Sequence, residues 1–151
     1  TPTYVNLADL YREQARDVEG ERLLHGALDR LPGDATLQHT LGLTLVRLQR
    51  NTEALEHLRG AAEAAPESPR YAYVYGVPLY SVGDVAAGLR VLEVAQERFP
   101  SDREILFALA SYAMEAGDPD RARLYARQLE GLAPGDPQVR QLLQQLEAAI
   151  R

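Results

Sequence analysis

Apolar residues fall along this chain in blocks spaced as a helix spaces one face. The clearest block is the last, where Val139, Leu142, Leu143, Leu146 and Ile150 form one stripe and Gln138, Arg140, Gln141, Gln144, Gln145 and Glu147 cover the rest. That pattern predicts an amphipathic helix over about 136–150. Upstream, the blocks recur at a fixed interval: Pro32, Pro66, Pro100 and Pro134 are each 34 residues apart. Counting each of these prolines as position 32 divides the chain into units 1–34, 35–68, 69–102 and 103–136.

Other residue types keep this register. Position 8 reads Ala8, Gly42, Gly76 and Ala110; position 20 reads Gly20, Ala54, Gly88 and Ala122. Position 27 reads Ala27, Ala61, Ala95 and then Leu129. Small residues there let two antiparallel helices approach closely, while large residues at positions 4, 7, 11 and 24 fill the space between them. Turns are expected near Gln14–Val18, Gln49–Thr52, Gly83-Asp84 and Gly117-Asp118-Pro119, where Gly, Asp and Pro supply turn chemistry. The repeat-ending prolines stop each second helix, because Pro lacks the amide and clashes with the preceding turn. Asp34, Ser68, Ser101 or Asp102, and Asp136 are candidate caps for the helix that follows.

A 34-residue interval with this residue pattern resembles the tetratricopeptide repeat family over residues 1–136. The first repeat matches best, with Tyr4, Leu7, Ala8, Tyr11, Leu24, Ala27 and Pro32. Later repeats depart at position 4 (Gln38, Ala72, Leu106), and the fourth has Ala126 at position 24. The resemblance implies an all-α, right-handed α-α superhelix: four helix-turn-helix repeats plus a capping helix over 137–151, in a single domain spanning 1–151. A repeat stack needs such a terminal element with one polar face. Nothing comparable precedes residue 1, and the chain opens on Thr-Pro without Met, which reads as a domain cut from something longer.

In this family the first helices line a concave surface. Carried over by position, the partner-binding groove begins with Val5, Asn6, Asp9, Arg12 and Glu13, then His39, Thr40, Leu43, Val46 and Arg47. It continues with Arg70, Tyr73, Val74, Val77, Tyr80 and Ser81, and ends with Glu104, Phe107, Ala108, Ser111 and Met114. The first repeat contributes mainly charges and an amide; Leu43, Val46, Tyr73, Val77, Tyr80, Phe107 and Met114 make an apolar band, a feature that points to a partner. Burying roughly four such side chains at about 1.5–3 kcal/mol each, before ordering costs, supports micromolar binding of an apolar or aromatic peptide or an amphipathic helix. Packing is the competing explanation for the tyrosines, above all Tyr71 and Tyr75. The positions at which one subclass clamps a C-terminal carboxylate read Val5, Asp9, Thr40, Arg70 and Val74, where only Arg70 suits and Asp9 repels; such a ligand is not expected. Pro78 falls inside a first helix, removing an amide and leaving the Val74 carbonyl unpaired, at a cost on the order of 3 kcal/mol. It either tunes the groove beside Tyr73 and Tyr80 or is tolerated drift.

Composition narrows the chemistry. The net charge of -6 gives no basic footprint, so nucleic acid is not expected as a partner, and no apolar run is long enough to insert into a membrane. All 16 basic residues are Arg. With no Cys, disulfides, thiolate metal sites and cysteine nucleophiles are excluded. His25, His39 and His57 show no metal spacing, and phosphate loops, nucleophile elbows and calcium loops are missing, so neither catalysis, cofactor nor metal is expected. The leading reading is a protein-interaction scaffold. A second is an accessory domain of a larger bacterial enzyme or redox protein, because Tyr4–Tyr11 and Tyr71–Tyr75 resemble repeat tails of multihaem cytochromes. A third is self-association. Cysteine usage leaves cytoplasm and periplasm equally open.

Overall fold

The computed structural model describes residues 1–148. Among them the chain forms helices α1 (Pro2–Glu13), α2 (Asp17–Leu28), α3 (Ala35–Arg47), α4 (Asn51–Ala64), α5 (Pro69–Ser81), α6 (Val85–Arg98), α7 (Arg103–Glu115), α8 (Pro119–Leu132) and α9 (Pro137–Ala148), and no strand. Two compact units result, Thr1–Leu79 and Tyr80–Arg151; the division falls inside α5 rather than at a repeat junction.

In the first unit, α1 pairs with α2 and α3 with α4, and α2 also packs on α3. Its core joins Ala8, Leu24, Ala27, Leu37, Leu41, Leu45 and Ala54, with Tyr4, Val5, Leu23 and Leu28 packed around them. In the second unit, α7 pairs with α8, and α6 and α9 pack on the two sides of that hairpin. Leu92, Ile105, Leu106, Leu109, Leu129, Leu142 and Leu146 are buried there. The small residues at positions 8, 20 and 27 are buried in every repeat. The approach is close at Gly42, where a Cβ would stand 2.6 Å from Leu58 Cδ2 and 2.7 Å from its Cγ. Gly20 has more room: the nearest atom to its Cβ would be Tyr11 Cβ at 3.6 Å. Leu7 departs from the expected filling role. Leu41, at the same repeat position, lies under α2 and is 0% exposed, whereas among the described residues no helix packs on α1 as α2 packs on α3, and Leu7 is 36% exposed.

The turns inside the hairpins share one backbone solution. Ala15, Gln49, Gly83 and Gly117, all at position 15, have φ of 56°, 59°, 99° and 71°. In the first, second and fourth repeats the next amide bonds back across the helix end: Arg16 to the Tyr11 carbonyl (2.8 Å), Arg50 to Leu45 (2.9 Å) and Asp118 to Ala113 (2.8 Å). This closure satisfies the last helical carbonyls and needs a left-handed residue, which glycine supplies cheaply and Ala15 and Gln49 supply under strain.

Helix starts are capped largely as expected. Asp34 Oδ1 accepts from the Leu37 amide at 3.0 Å and Asp102 Oδ1 from Ile105 at 3.0 Å, so Asp102 rather than Ser101 is the cap. Asp136 Oδ1 accepts from Gln138 at 2.8 Å, and Asp84 and Asp118, inside the turns, cap α6 and α8 as well. α5 runs through Pro78 as a helix. On α9, Val139, Leu142 and Leu146 are buried and the polar residues named above are exposed; Ile150 lies outside the described residues.

His39 is part of the first unit's interior. It is 9% exposed, its ring lies 4.7 Å from that of Tyr71, and its Nδ1 has no hydrogen-bond partner. Burial, helped by the charge of Arg70, pushes the imidazole down from 6.5 to about 4. The unfolded chain therefore takes up this proton at a higher pH than the folded one.

Three stability changes follow, each measured by thermal or urea unfolding. Ala15→Gly and Gln49→Gly each stabilise by roughly 0.5–1 kcal/mol, because the backbone strain is relieved. Gly42→Ala destabilises by about 1–3 kcal/mol as Leu58 is displaced, while Gly20→Ala is neutral or stabilising by up to about 1 kcal/mol. Stability contributed by neutral His39 is complete above about pH 6.5 and declines as pH falls toward 4, by up to roughly 1.4 kcal/mol per pH unit. His39→Leu should flatten that slope; a slope unchanged by the substitution would rule out His39 as its source.

Candidate functional site

The first helices present two separate concavities, one in each unit. In the first unit, a pocket of about 220 Å³ lies between α1 and α3. Val5, Asp9, Arg12, His39, Leu43 and Arg47, all expected in the groove, line it together with Ala8, Thr36, Thr40 and Thr44. Its charges are largely matched internally. Arg12 lies 3.3 Å from Asp9, and Arg47 lies 2.7 Å from Asp17 on α2 while also donating to Thr44 Oγ1 at 3.2 Å. Thr40 and Thr44 spend their protons on carbonyls one turn back, Thr36 at 2.7 Å and Thr40 at 2.9 Å, leaving oxygen lone pairs as the groups they offer. The lining thus combines apolar Val5, Ala8 and Leu43 with polar groups that are largely satisfied internally, and His39 is buried among them.

The remaining expected residues of this unit lie elsewhere. Asn6 is exposed on α1, and Val46 is 40% exposed on α3. Tyr73 and Val77 on α5 are half-buried, and Arg70 is exposed. Tyr71, beside His39, also donates its hydroxyl proton to Thr36 Oγ1 at 3.4 Å.

In the second unit, a larger cleft of about 460 Å³ opens between α7 and α9. Phe107, Ser111 and Met114 line it from α7 with Glu115, and α9 supplies Gln138, Gln141, Leu142 and Gln145. Phe107 is 37% exposed, unusual for a phenylalanine on a helix that buries five other side chains. The cleft thus has an apolar floor of Phe107, Met114 and Leu142 under a rim of three carboxamides, one hydroxyl and one carboxylate. Tyr80 does not line it. Its ring stacks on Tyr112 with centroids 3.6 Å apart and planes 8° apart, and its hydroxyl donates to Glu115 at 3.0 Å. Burial and then that carboxylate raise the Tyr80 phenol above its ordinary pKa, so it remains a donor.

The contribution of α9 was not anticipated, because its glutamines read as solvent-facing cover. Extending the repeat count by one unit would have revealed it: Gln138, Gln141 and Gln145 then fall at positions 2, 5 and 9, which line the groove in earlier repeats. Among the described residues no group of three or more His, Asp or Glu side chains is arranged to hold a metal ion, and no helix is long and apolar enough to cross a membrane.

Solved structures share this architecture. A crystal structure of MamA protein matches with a TM-score of 0.84 at 17% identity, over 99% of this chain and 81% of that one. MamA from residue 41 to its end, from Desulfovibrio magneticus RS-1, matches with a TM-score of 0.80 at 17% identity, over 97% of this chain and 83% of that one. A tetratricopeptide repeat protein from Parabacteroides merdae ATCC 43184 reaches a TM-score of 0.90 at 14% identity, over 99% of this chain and 59% of that one. At these identities the likeness is one of fold. No curated protein matches the chain. The family model for the tetratricopeptide repeat matches residues 39–81 and 79–137, well over half of the sequence. Taken with the helical hairpins and the constant interval between them, that match makes the chain a member of the tetratricopeptide repeat family.

Proposed function

We propose that the chain is a non-catalytic interaction scaffold that holds a peptide or helix of a partner protein on its first-helix faces, with the α7/α9 cleft as the main anchor point. The observation that carries this reading is the cleft's composition. Phe107, Met114 and Leu142 offer an apolar seat for one large side chain, and Gln138, Gln141 and Gln145 can both donate to and accept from a peptide backbone beside it. Family membership supports the same reading, since these repeats serve typically as interaction modules. The α1/α3 pocket, where Val5, Ala8 and Leu43 stand beside Thr36, Thr40, Arg12 and Arg47, suits a second contact with both apolar and polar groups. Within the first unit, Tyr73 and Val77 on α5 are further proposed partner contacts.

Short random peptides displayed on phage provide the test. Selection on the wild-type chain should yield sequences centred on an aromatic or large aliphatic residue. Fluorescence polarisation should then show affinity falling at least roughly tenfold, about 1.4 kcal/mol, in a Phe107→Ala/Met114→Ala double variant whose circular dichroism is unchanged. Tyr73→Ala should cost less. Selected peptides that bind the folded double variant as well as the wild type would disprove the cleft as anchor.

A further inference from the structure

Away from the first-helix faces, the second helices of the first unit bring together two histidines that the sequence keeps far apart. The rings of His25 on α2 and His57 on α4 meet edge to face, with centroids 5.8 Å apart and an interplanar angle of 72°. Each follows a glutamate by one helical turn, Glu21 and Glu53. His25 Nε2 stands 3.6 Å from Glu21 Oε1. His57 Nδ1 bonds to Gln38 Oε1 at 2.6 Å. A carboxamide oxygen only accepts, so the proton sits on Nδ1 and Nε2 of His57 keeps its lone pair. Fixing the tautomer through the far nitrogen is what outer-shell partners do for metal-bound imidazoles.

Two carboxylates flank the pair: Glu21 beside His25, and Glu53 one turn before His57. Arg50 bridges Glu21 and Glu53, both at 2.5 Å, and so holds the two carboxylates beside the imidazoles. Two imidazoles on one tetrahedral zinc ion, with Zn–N of about 2.0–2.1 Å, hold their centroids roughly 5–5.5 Å apart. The observed 5.8 Å lies just outside that range.

We propose that His25 and His57 form a two-imidazole site for a divalent transition-metal ion, zinc first, bound through Nε2 of His57 and a nitrogen of His25. No third His, Asp or Glu is already arranged with them, so the remaining coordination positions belong to water or to a side chain of another protein. The site lies on the second helices and is independent of the peptide-binding reading.

Isothermal titration of the untagged chain with zinc chloride at neutral pH tests it. One zinc per chain should bind, with affinity falling by at least about tenfold in His25→Ala and in His57→Gln, the latter preserving polarity while removing the ligand nitrogen. Melting curves in chelator-treated buffer establish that both variants fold, and zinc should raise the wild-type midpoint but neither variant's. Absence of zinc binding, or binding that survives both substitutions because carboxylates alone hold the ion, overturns the assignment.

Discussion

The structure depends on how closely the two helices of each hairpin can approach. A pair of antiparallel helices buries its shared face only where small side chains let the backbones come together, and large side chains must fill the space to either side. Here that requirement is met by Ala or Gly at positions 8 and 20 in all four repeats, and by Ala at position 27 in three of them. The contact of Gly42 against Leu58 is a tight instance: the space a side chain there would fill is occupied by its partner's. Once the pair is fixed, the turn is fixed too, and position 15 must adopt a left-handed conformation whatever residue stands there.

The repeats answer these demands unequally, and the differences have physical content. Gly83 and Gly117 meet the turn without strain, whereas Ala15 and Gln49 meet it against their intrinsic preference. Aspartates do much of the capping, including Asp84 and Asp118 immediately after the turn glycines, so a single Gly-Asp pair both ends one helix and begins the next. Leu7 shows the opposite case: a residue suited to the interior is partly in solvent because no helix among the described residues covers it.

Much of this was legible in the sequence because it follows from a single interval. The prolines, the small residues and the aspartates repeat, and together they locate helices, turns and interior positions. What escaped were features that depend on distances between elements. His39 is a groove residue by position and lines the α1/α3 pocket, but the interval does not reveal its burial there beside Tyr71. Nor does it reveal the stacking of Tyr80 on Tyr112. His25 and His57 occupy different repeat positions, 25 and 23, so the interval alone does not align them; the packing of α2 and α4 does. The glutamines of α9 were read as cover because an amphipathic pattern separates buried from exposed positions without showing which exposed positions border a cleft.

That last helix has two duties. Its Val139, Leu142 and Leu146 close the second unit's interior, while Gln138, Gln141 and Gln145, on the same three turns, form one wall of the cleft, and Leu142 serves both. Because Leu142 belongs to both, the proposed occupancy of the cleft is coupled to the packing of α9 on α8: a guest held against Phe107 and Leu142 would brace that helix, and a looser α9 would weaken its grip on the guest.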